Sequence, residues 1–176
     1  LDCAAAFIES PTRIGTVELT RSGVPHYKNP AHPVFIADAG RIKRIETCLG
    51  TGESFYRAMA QLGFKDWTGK KLVIFGSGKV GTGLITYAHQ LGARISVVTE
   101  PSTVSARLKT LTDVTWIAFN DKAAVEKAVA AAHAVVTATG VAGAATYAAD
   151  ACAYTESRAL LANMGVEDEY GPGVPA

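Results

Sequence analysis

Short apolar runs alternate with longer amphipathic stretches along most of the chain, and glycine, proline or polar residues separate them. Runs that are too short for a helix, several of them rich in β-branched residues, are typical of strands covered on both faces of a sheet. Such runs lie at residues 72–75, 93–99, 114–119, 134–138 and 158–162. Helical spacing of the apolar residues between them predicts strands that alternate with helices, and therefore an α/β fold with a parallel sheet and right-handed crossovers.

The helical stretches have recognisable ends. Gly63 and Gly92 are expected to stop two helices, and Pro101 is expected to begin another because proline is tolerated in a first turn. Asn120 or Asp121 is expected to cap an alanine-rich helix. Helices are therefore predicted at residues 51–62, 79–91, 101–110, 122–132 and 142–150.

The beginning of the chain is less regular. Short extended segments are predicted at residues 16–20 and 34–37, and residues 42–47 lead toward a helix. Residues 1–8 are apolar and fit either a strand or a helix end, since periodicity does not separate the two at this length.

Residues 71–100 contain a strand, a tight glycine turn, a helix and a second strand. The turn has the spacing G-x-G-x-x-G at Gly76, Gly78 and Gly81. In a dinucleotide-binding turn the first glycine allows a sharp bend, the second lets the backbone approach a pyrophosphate, and the third lets the helix pack closely on the sheet. The pattern predicts a Rossmann-type doubly wound parallel sheet with helices on both faces. The alternative is that these glycines only form a tight turn.

Glu100 follows the second strand, about 20 residues past the glycines, where the ribose diol of a dinucleotide expects a carboxylate. A carboxylate at this place would repel the 2′-phosphate of NADP, and no arginine follows it immediately. We therefore expect NAD rather than NADP. Arg107 is near enough in sequence to leave NADP as the alternative.

The composition narrows the range of functions. The 176 residues are 48% hydrophobic with a net charge of +1, which is ordinary for a globular domain and supplies no basic stripe for nucleic acid. No apolar run approaches the roughly 20 residues that span a bilayer, and no signal peptide is visible, so we expect a cytoplasmic protein without a membrane partner. The three cysteines lack the spacing of a zinc site or a disulfide framework.

Further motifs accompany the glycine turn. GTGES at residues 50–54 is followed by GSGKVGTG, GARISVVTE, VVTATG and LLANMG. In this order and spacing they resemble the cofactor domain of adenosylhomocysteinases over residues 16–168. That family holds NAD tightly, oxidises the ribose 3′-hydroxyl of its substrate, eliminates or adds at the next position, and reduces the sugar again. The resemblance implies bound NAD and a nucleoside-like or small polar substrate.

The resemblance also assigns residues to the cofactor. The glycine turn would bind the pyrophosphate and Glu100 the adenosine ribose, while Asn163 would lie near the nicotinamide amide and Thr20 and Ser22 at the nicotinamide half. From the residues alone, the alternative is that Thr137 and Thr139 simply end a strand and that Asn163 forms a turn. Beside the three glycines, the cofactor-binding residues implied are Thr20, Ser22, Thr47, Ser77, Lys79, Val80, Glu100, Thr137, Thr139, Gly140 and Asn163.

The positions that carry the family's proton chemistry differ here. A family Glu–Glu pair corresponds to Glu18 followed by Leu19, a lysine corresponds to Ile42, and the histidine after N-x-G corresponds to Val166. Proton transfer at a sugar carbon requires positioned acids or bases, which apolar side chains do not supply. Lys43 and Glu46 are the nearby residues that we propose as a proton-handling pair.

Three hypotheses follow for the function. The first is an NAD-binding domain of an adenosylhomocysteinase-like protein, of oxidoreductase type and not competent for the standard hydrolase reaction. The second is a non-catalytic NAD-binding or assembly module, and the third is the cofactor half of an amino-acid or 2-hydroxy-acid dehydrogenase. Whether the chain is itself an enzyme stays open at this point. Family members pair their subunits, so we expect a homo-oligomer.

The same reasoning gives a domain organisation. Residues 51–168 are expected to form the NAD-binding domain. Residues 1–50 are expected to be a segment linked to a missing or reduced substrate domain, and residues 169–176 a flexible tail rich in glycine and proline.

Overall fold

A computed structural model describes residues 1–174. The chain divides into two compact units, Leu1–Glu46 and a larger unit that begins at Thr47. The sequence predicts a boundary after residue 50, so the division lies slightly earlier in the chain than expected.

The first unit is built around a short parallel pair of strands. Strand β1, Thr16–Glu18, pairs with β2, Val34–Ile36, and the unit ends with helix α1, Arg41–Ile45. Residues 4–8, part of the apolar stretch at residues 1–8, form turns rather than a strand or a helix. Asp2 makes an isolated parallel bridge to Glu18.

The second unit contains a five-stranded parallel sheet. Its strands are β3 at Lys71–Phe75, β4 at Arg94–Val98, β5 at Val114–Ile117, β6 at Ala134–Thr137 and β7 at Leu160–Asn163. They lie in the order β5-β4-β3-β6-β7. Each short apolar run of the sequence forms one of these parallel strands. Strands β4 and β5 are added on one side of β3, and β6 and β7 on the other, which is the Rossmann-type order and confirms the predicted fold class.

Helices connect the strands, and the largest departures from the predicted spans are in two segments. The segment expected as one helix at 101–110 is a 3₁₀ turn, Pro101–Thr103, followed by a separate helix, because Ser105 is extended and its hydroxyl caps the next turn by accepting from the Leu108 amide. The segment at 142–150 ends early because Ala149 is extended. The helices are α2 at Thr51–Gln61, α3 at Lys79–Gln90, α4 at Ala106–Lys109, α5 at Lys122–Ala130, α6 at Ala144–Ala148 and α7 at Ala151–Thr155, with a π turn at Glu46–Gly50 before α2.

Both faces of the sheet are covered by helices. Alternate side chains of β3 point to opposite sides, so Leu72 and Ile74 pack in one core with α2, α3 and α4. Val73 and Phe75 pack in a second core with α5, α6 and α7. The two cores fix the sheet as a rigid support whose carboxyl-terminal edge carries the loops described below.

The segment after β7 packs against the second core. Glu169 and Tyr170 belong to the stretch predicted as a flexible tail, yet both are buried, and Val174 is buried as well. The Tyr170 hydroxyl donates to the Val135 carbonyl of β6 at 2.8 Å. The aromatic ring anchors this segment, which glycine and proline content alone does not reveal. Residues 175 and 176 of the predicted tail lie outside the described residues.

Within residues 1–174, none of the helices combines the length and the apolar character that crossing a membrane requires.

Candidate functional site

The three glycines of the β3–α3 turn meet three different surroundings. Gly76 has φ of +95°, a conformation that favours glycine, and a Cβ added to it would lie 2.7 Å from the Ala138 carbonyl oxygen. A Cβ on Gly81 would lie 2.1 Å from the Gly76 carbonyl oxygen, so the helix packs directly on the turn. A Cβ on Gly78 would meet nothing within 4 Å. The first and third glycines therefore shape the turn, and the second leaves open space.

The open space beside Gly78 lies where the sequence predicts a pyrophosphate. Gly78 is the N-cap of the twelve-residue helix α3, and its vacant side-chain position has no close neighbour from another part of the chain. Lys79 and Val80 occupy the first turn of α3. The N-terminus of a helix attracts anionic groups through the positive end of the helix dipole.

A pocket of about 520 Å³ opens at this turn. It lies at the carboxyl ends of β3, β4, β5 and β6, where the order of the sheet reverses and where ligands bind in open α/β folds. The pocket is lined by Gly76, Ser77, Gly78, Thr99, Glu100, Thr103, Phe119, Ala138, Thr139, Val141, Ala142, Ala144 and Tyr147.

Hydroxyl groups connect the glycine turn to the end of β4. Ser77 Oγ and Thr99 Oγ1 are 2.8 Å apart, and both residues are buried. The next residue, Glu100, is exposed on the pocket wall, where Ser102 Oγ donates to its Oε1 at 3.3 Å. The structure therefore brings the expected pyrophosphate turn and the expected ribose acid into one pocket.

No lysine or arginine is among the described residues that line this pocket. Arg107, the residue that left NADP open as an alternative, is close enough to Cys48 for its charge to act on that thiol: burial raises the pKa of Cys48 and the positive charge of Arg107 partly opposes the rise. Glu100 is thus the charged group of the pocket wall.

The hydroxyls of the T-x-T-G motif bond to the last residue of β7 and to the segment that follows β7. Thr137 is fully buried and donates to Asn163 Oδ1 at 3.0 Å. Thr139 Oγ1 donates to Glu169 Oε2 at 2.7 Å and accepts from the Val141 amide at 3.1 Å. Both hydroxyls therefore already have partners inside the protein, and Thr139 contributes to the pocket wall with its hydroxyl bonded elsewhere.

Asn163 closes a turn at the end of β7. Its Oδ1 also accepts from the Gly165 amide at 3.0 Å, and its Nδ2 donates to the Glu167 carbonyl at 2.6 Å. Its assignment to the nicotinamide amide stays a prediction. In this structure the side chain joins β6 to the segment after β7.

Glu169 is a site-related residue that the sequence does not indicate. Its buried carboxylate accepts from the amides of Thr139 and Gly140 at 2.9 and 2.6 Å, in addition to the Thr139 hydroxyl. These partners lie 29 and 30 positions earlier in the chain. A glutamate next to a Gly/Pro-rich end has no periodicity or motif that would have found this contact.

Thr20 and Ser22 lie in the first unit, next to a buried acid. Thr20 donates to Glu18 Oε1 from its amide at 2.8 Å and from its hydroxyl at 2.7 Å, and Thr20 Oγ1 is 3.0 Å from Ser22 Oγ. Burial raises the pKa of the Glu18 carboxyl, but the hydrogen bonds from Thr20 and from the amides of Ala4 and Ala5 outweigh it, so the pKa lies below its ordinary value. Glu18 is therefore a fixed carboxylate.

The proposed proton-handling pair is an ion pair. Lys43 Nζ lies 2.8 Å from Glu46 Oε2, and both side chains are partly exposed. Thr47, assigned to the cofactor by resemblance, follows directly in the π turn Glu46–Gly50 and is the first residue of the second unit. The described residues contain no group of three or more metal-ligating side chains.

Comparison with solved structures shows the same fold in enzymes. The chain is similar to a dipicolinate synthase polypeptide from Bacillus halodurans, with a TM-score of 0.57 and 12% identity over 84% of this chain and 51% of that chain. It is similar to the corresponding dipicolinate synthase polypeptide from Bacillus subtilis, with a TM-score of 0.58 and 13% identity over 92% of this chain and 60% of that chain. A cinnamyl alcohol dehydrogenase from Sorghum bicolor matches with a TM-score of 0.50 and 19% identity over 68% of this chain and 39% of that chain.

These identities establish the fold and nothing finer. The chain spans between 51% and 60% of the length of the two dipicolinate synthase polypeptides that it matches. A search of curated proteins finds no match.

A family model for dinucleotide-binding domains covers more than half of the chain. The model, described as "Putative NAD(P)-binding", matches residues 64–171, which contain the glycine turn, all five strands of the sheet, the pocket and Glu169. The match and the geometry of the pocket lead to the same conclusion: the chain belongs to this family of NAD(P)-binding domains.

Proposed function

We propose that the second unit binds NAD in preference to NADP and serves as the cofactor domain of an adenosylhomocysteinase-like protein of oxidoreductase type. The observation that carries this proposal is the pairing of Glu100 with the glycine turn in one pocket whose described lining includes no cationic side chain. A carboxylate accepts hydrogen bonds from both hydroxyls of an adenosine ribose, and it repels a 2′-phosphate.

The motifs shared with adenosylhomocysteinases support this family in particular. VVTATG and LLANMG end the neighbouring strands β6 and β7, and the Thr137 to Asn163 hydrogen bond of 3.0 Å joins the two motifs. The resemblance therefore rests on segments that touch in space as well as on their order in the sequence.

The standard hydrolase reaction is not expected of this chain. Glu100 and Tyr147 are the titratable groups among the described residues that line the pocket, and Glu100 is assigned to the ribose. Leu19, Ile42 and Val166 occupy the places of a family acid, lysine and histidine. Acid–base chemistry at the substrate then falls to Tyr147 or to residues outside this lining. Lys43 and Glu46, 2.8 Å apart, are our candidates.

The preference for NAD is tested by titrating the unmodified protein with NAD and NADP and following tryptophan quenching or calorimetric heat. We expect tighter binding of NAD. In Glu100→Ala the loss of hydrogen bonds to a charged acceptor weakens NAD binding by about tenfold and narrows the preference over NADP. Glu156→Ala is the matched control because Glu156 is an exposed glutamate far from the pocket. It lies between α7 and the start of β7, at the amino-terminal edge of the sheet, whereas the pocket lies at the carboxyl-terminal edge.

Tighter binding of NADP than of NAD by the unmodified protein would contradict the assignment of Glu100. Equal weakening of NAD binding in Glu100→Ala and Glu156→Ala would show that the effect is not specific to the pocket.

The non-catalytic module and the cofactor half of a dehydrogenase differ from the adenosylhomocysteinase-like enzyme in the substrates that the protein is expected to turn over. NADH absorbance at 340 nm that develops with adenosine-like substrates supports the adenosylhomocysteinase-like enzyme, whereas turnover of an amino acid or a 2-hydroxy acid supports the cofactor half of a dehydrogenase. Bound NAD without any turnover supports a non-catalytic module. Homo-oligomerisation and a cytoplasmic location stay predictions, and size-exclusion chromatography with light scattering tests the first.

A further inference from the structure

Asn163, the last residue of β7, and the segment that follows it, residues 164–171, are joined to the end of β6 and the segment after β6 by backbone and side-chain hydrogen bonds. We refer to residues 163–171 as the C-terminal strap. The amides of Gly143 and Ala145 donate to the carbonyls of Asp168 and Glu169, each at 2.9 Å. The strap therefore binds the start of α6, directly after the loop of residues 138–142 that borders the pocket.

The central contact of the strap is the carboxylate of Glu169. This side chain is completely buried, and its two oxygens accept three hydrogen bonds, from the Thr139 amide, the Thr139 hydroxyl and the Gly140 amide. Hydrogen bonds to a charged acceptor are stronger than those between neutral groups. A buried carboxylate with three donors thus fixes the backbone at Thr139 and Gly140.

The backbone held by Glu169 forms part of the pocket wall. Thr139, Val141 and Ala142 line the pocket, and the Val141 amide is oriented by the Thr139 hydroxyl, which itself donates to Glu169. Gly140 has φ of +74°, a left-handed conformation that favours glycine, at the point that the carboxylate binds. The position of the pocket wall therefore depends on a residue that is absent from the pocket lining.

We infer that Glu169 is a positioning residue for the dinucleotide: it holds the 139–142 wall in the shape that the cofactor contacts and does not contact the cofactor itself. The inference rests on dinucleotide binding in this pocket and is independent of the choice between NAD and NADP. Gly165 supports it, because a Cβ added there would lie 1.8 Å from Glu169 Oε1. The glycine of the N-x-G motif thus provides the space that the carboxylate occupies.

The test compares Glu169→Gln with Glu167→Gln in the full chain. A glutamine replaces one acceptor oxygen by an NH₂ donor, which then faces a backbone amide or the Thr139 hydroxyl. Glu167 lies two residues away in the same strap with an exposed side chain, so its variant removes the same charge without touching the wall. We expect NAD and NADH affinity to fall about tenfold in Glu169→Gln, with altered fluorescence of bound NADH, and to be unchanged in Glu167→Gln.

Affinity is measured below the unfolding temperature of each variant, so that a loss of stability alone does not change the result. NAD affinity and NADH emission equal to those of Glu167→Gln in a folded Glu169→Gln protein overturn the inference. Should that variant fail to fold, Gly165→Ala displaces the carboxylate without removing it and is expected to weaken NAD binding in the same direction.

Hydrogen–deuterium exchange on the unmodified protein gives a test that needs no variant. We expect NAD to slow amide exchange in the peptide that covers residues 137–144, and unchanged exchange there at saturating NAD overturns the inference. If the unmodified protein binds neither dinucleotide, the proposed function fails together with this one. If it binds NAD and Glu169→Gln binds it equally well, only the role of Glu169 fails.

Discussion

Gly78 and Gly81 are only three residues apart, yet a methyl group added to each would have opposite consequences. At Gly81 it would lie 2.1 Å from the Gly76 carbonyl oxygen, whereas at Gly78 it would meet no protein atom within 4 Å. The φ of Gly78 is −68°, outside the left-handed range that favours glycine. Gly81 is therefore required by the fold, and we expect Gly78 to be required by the ligand.

This difference predicts a separation of stability from binding. Gly81→Ala is expected to lower the free energy of unfolding by about 1–3 kcal/mol, since backbone atoms must move to relieve the contact. Gly78→Ala is expected to leave the unfolding free energy within about 0.5 kcal/mol of the parent and to weaken NAD binding by at least about tenfold. Urea unfolding and NAD titration of both variants provide the measurement, and a destabilised Gly78→Ala protein would contradict the open space seen beside this residue.

Glu18 gives the first unit a dependence on pH. Its folded pKa lies below the ordinary value of 4.5, so its carboxylate stabilises the fold above that value, and the contribution is lost as the pH falls through the lowered pKa. We expect the parent to exceed Glu18→Gln in unfolding free energy at pH 7, with the difference shrinking as the pH falls below about 4.5. Urea unfolding from pH 7 to pH 3 measures it.

The control for this pH dependence is Glu9→Gln, which removes an exposed carboxylate of the same unit. A difference between the parent and Glu18→Gln that stays constant from pH 7 to pH 3 would show that Glu18 does not bond as a carboxylate.

The site residues that lie close together in the chain could be predicted from the sequence, whereas the contacts between distant residues could not. Gly76, Gly78 and Glu100 all belong to the loops of one strand–helix–strand unit. In such a unit the spacing in the sequence fixes which residues lie at the carboxyl ends of the two strands. The contact of Glu169 with Gly140 joins residues 29 positions apart and depends on how a segment without periodicity packs on the sheet. Sequence patterns carry no information on the direction of the Thr137 and Thr139 hydroxyls.

At the scale of elements, strands were predicted more reliably than short helices. The central strands β3, β4 and β6 are apolar runs, and burial on both faces allows little else. The segment at 101–110 combines a first-turn proline with polar residues, and the Ser105 cap breaks it in two. Helix ends depend on capping bonds of single residues, which compete closely with continued helix.

Helices α2 and α3 cross at a contact between two glycines. A Cβ on Gly52 would lie 2.6 Å from the carbonyl carbon of Gly83, and a Cβ on Gly83 would lie 1.7 Å from the Cys48 carbonyl oxygen. Alanine normally stabilises a helix interior by about 1 kcal/mol relative to glycine. Here the backbones approach too closely for that gain, so the crossing distance is set by the absence of side chains.

Gly83→Ala is therefore expected to reduce the unfolding free energy by about 1–3 kcal/mol despite the better helix propensity of alanine. Thermal unfolding followed by far-UV circular dichroism measures the effect. Gly78→Ala, at the N-cap of the same helix, is the matched control because its Cβ has no close neighbour. An increase in stability of Gly83→Ala would refute the close approach of the two helices.

For the whole molecule, the two tryptophans provide a selective probe. Trp67 and Trp116 are the only tryptophans of the chain, and both lie in the second unit, which contains the pocket. A ligand that binds only the folded state stabilises it by about 2.7 kcal/mol when its free concentration is 100 times Kd. We expect NAD at this concentration to raise the tryptophan-detected Tm by roughly 5–10 °C.

The control ligand for this thermal shift is nicotinamide, which lacks the pyrophosphate and the ribose that the turn and Glu100 are expected to bind. An equal shift with nicotinamide, or no shift with NAD at 100 times Kd, would contradict binding in the pocket.

The position of Glu169 in the chain has a consequence for synthesis on the ribosome. The glycine turn and the sheet strands leave the ribosome before the strap, because the chain emerges from its N-terminal end and domains fold as they appear. Until Glu169 emerges, the amides of Thr139 and Gly140 lack their acceptor, and the pocket wall that they support is unfinished. We therefore expect a nascent chain to complete its strands first and to reach its full affinity for a dinucleotide only when Glu169 has folded into place.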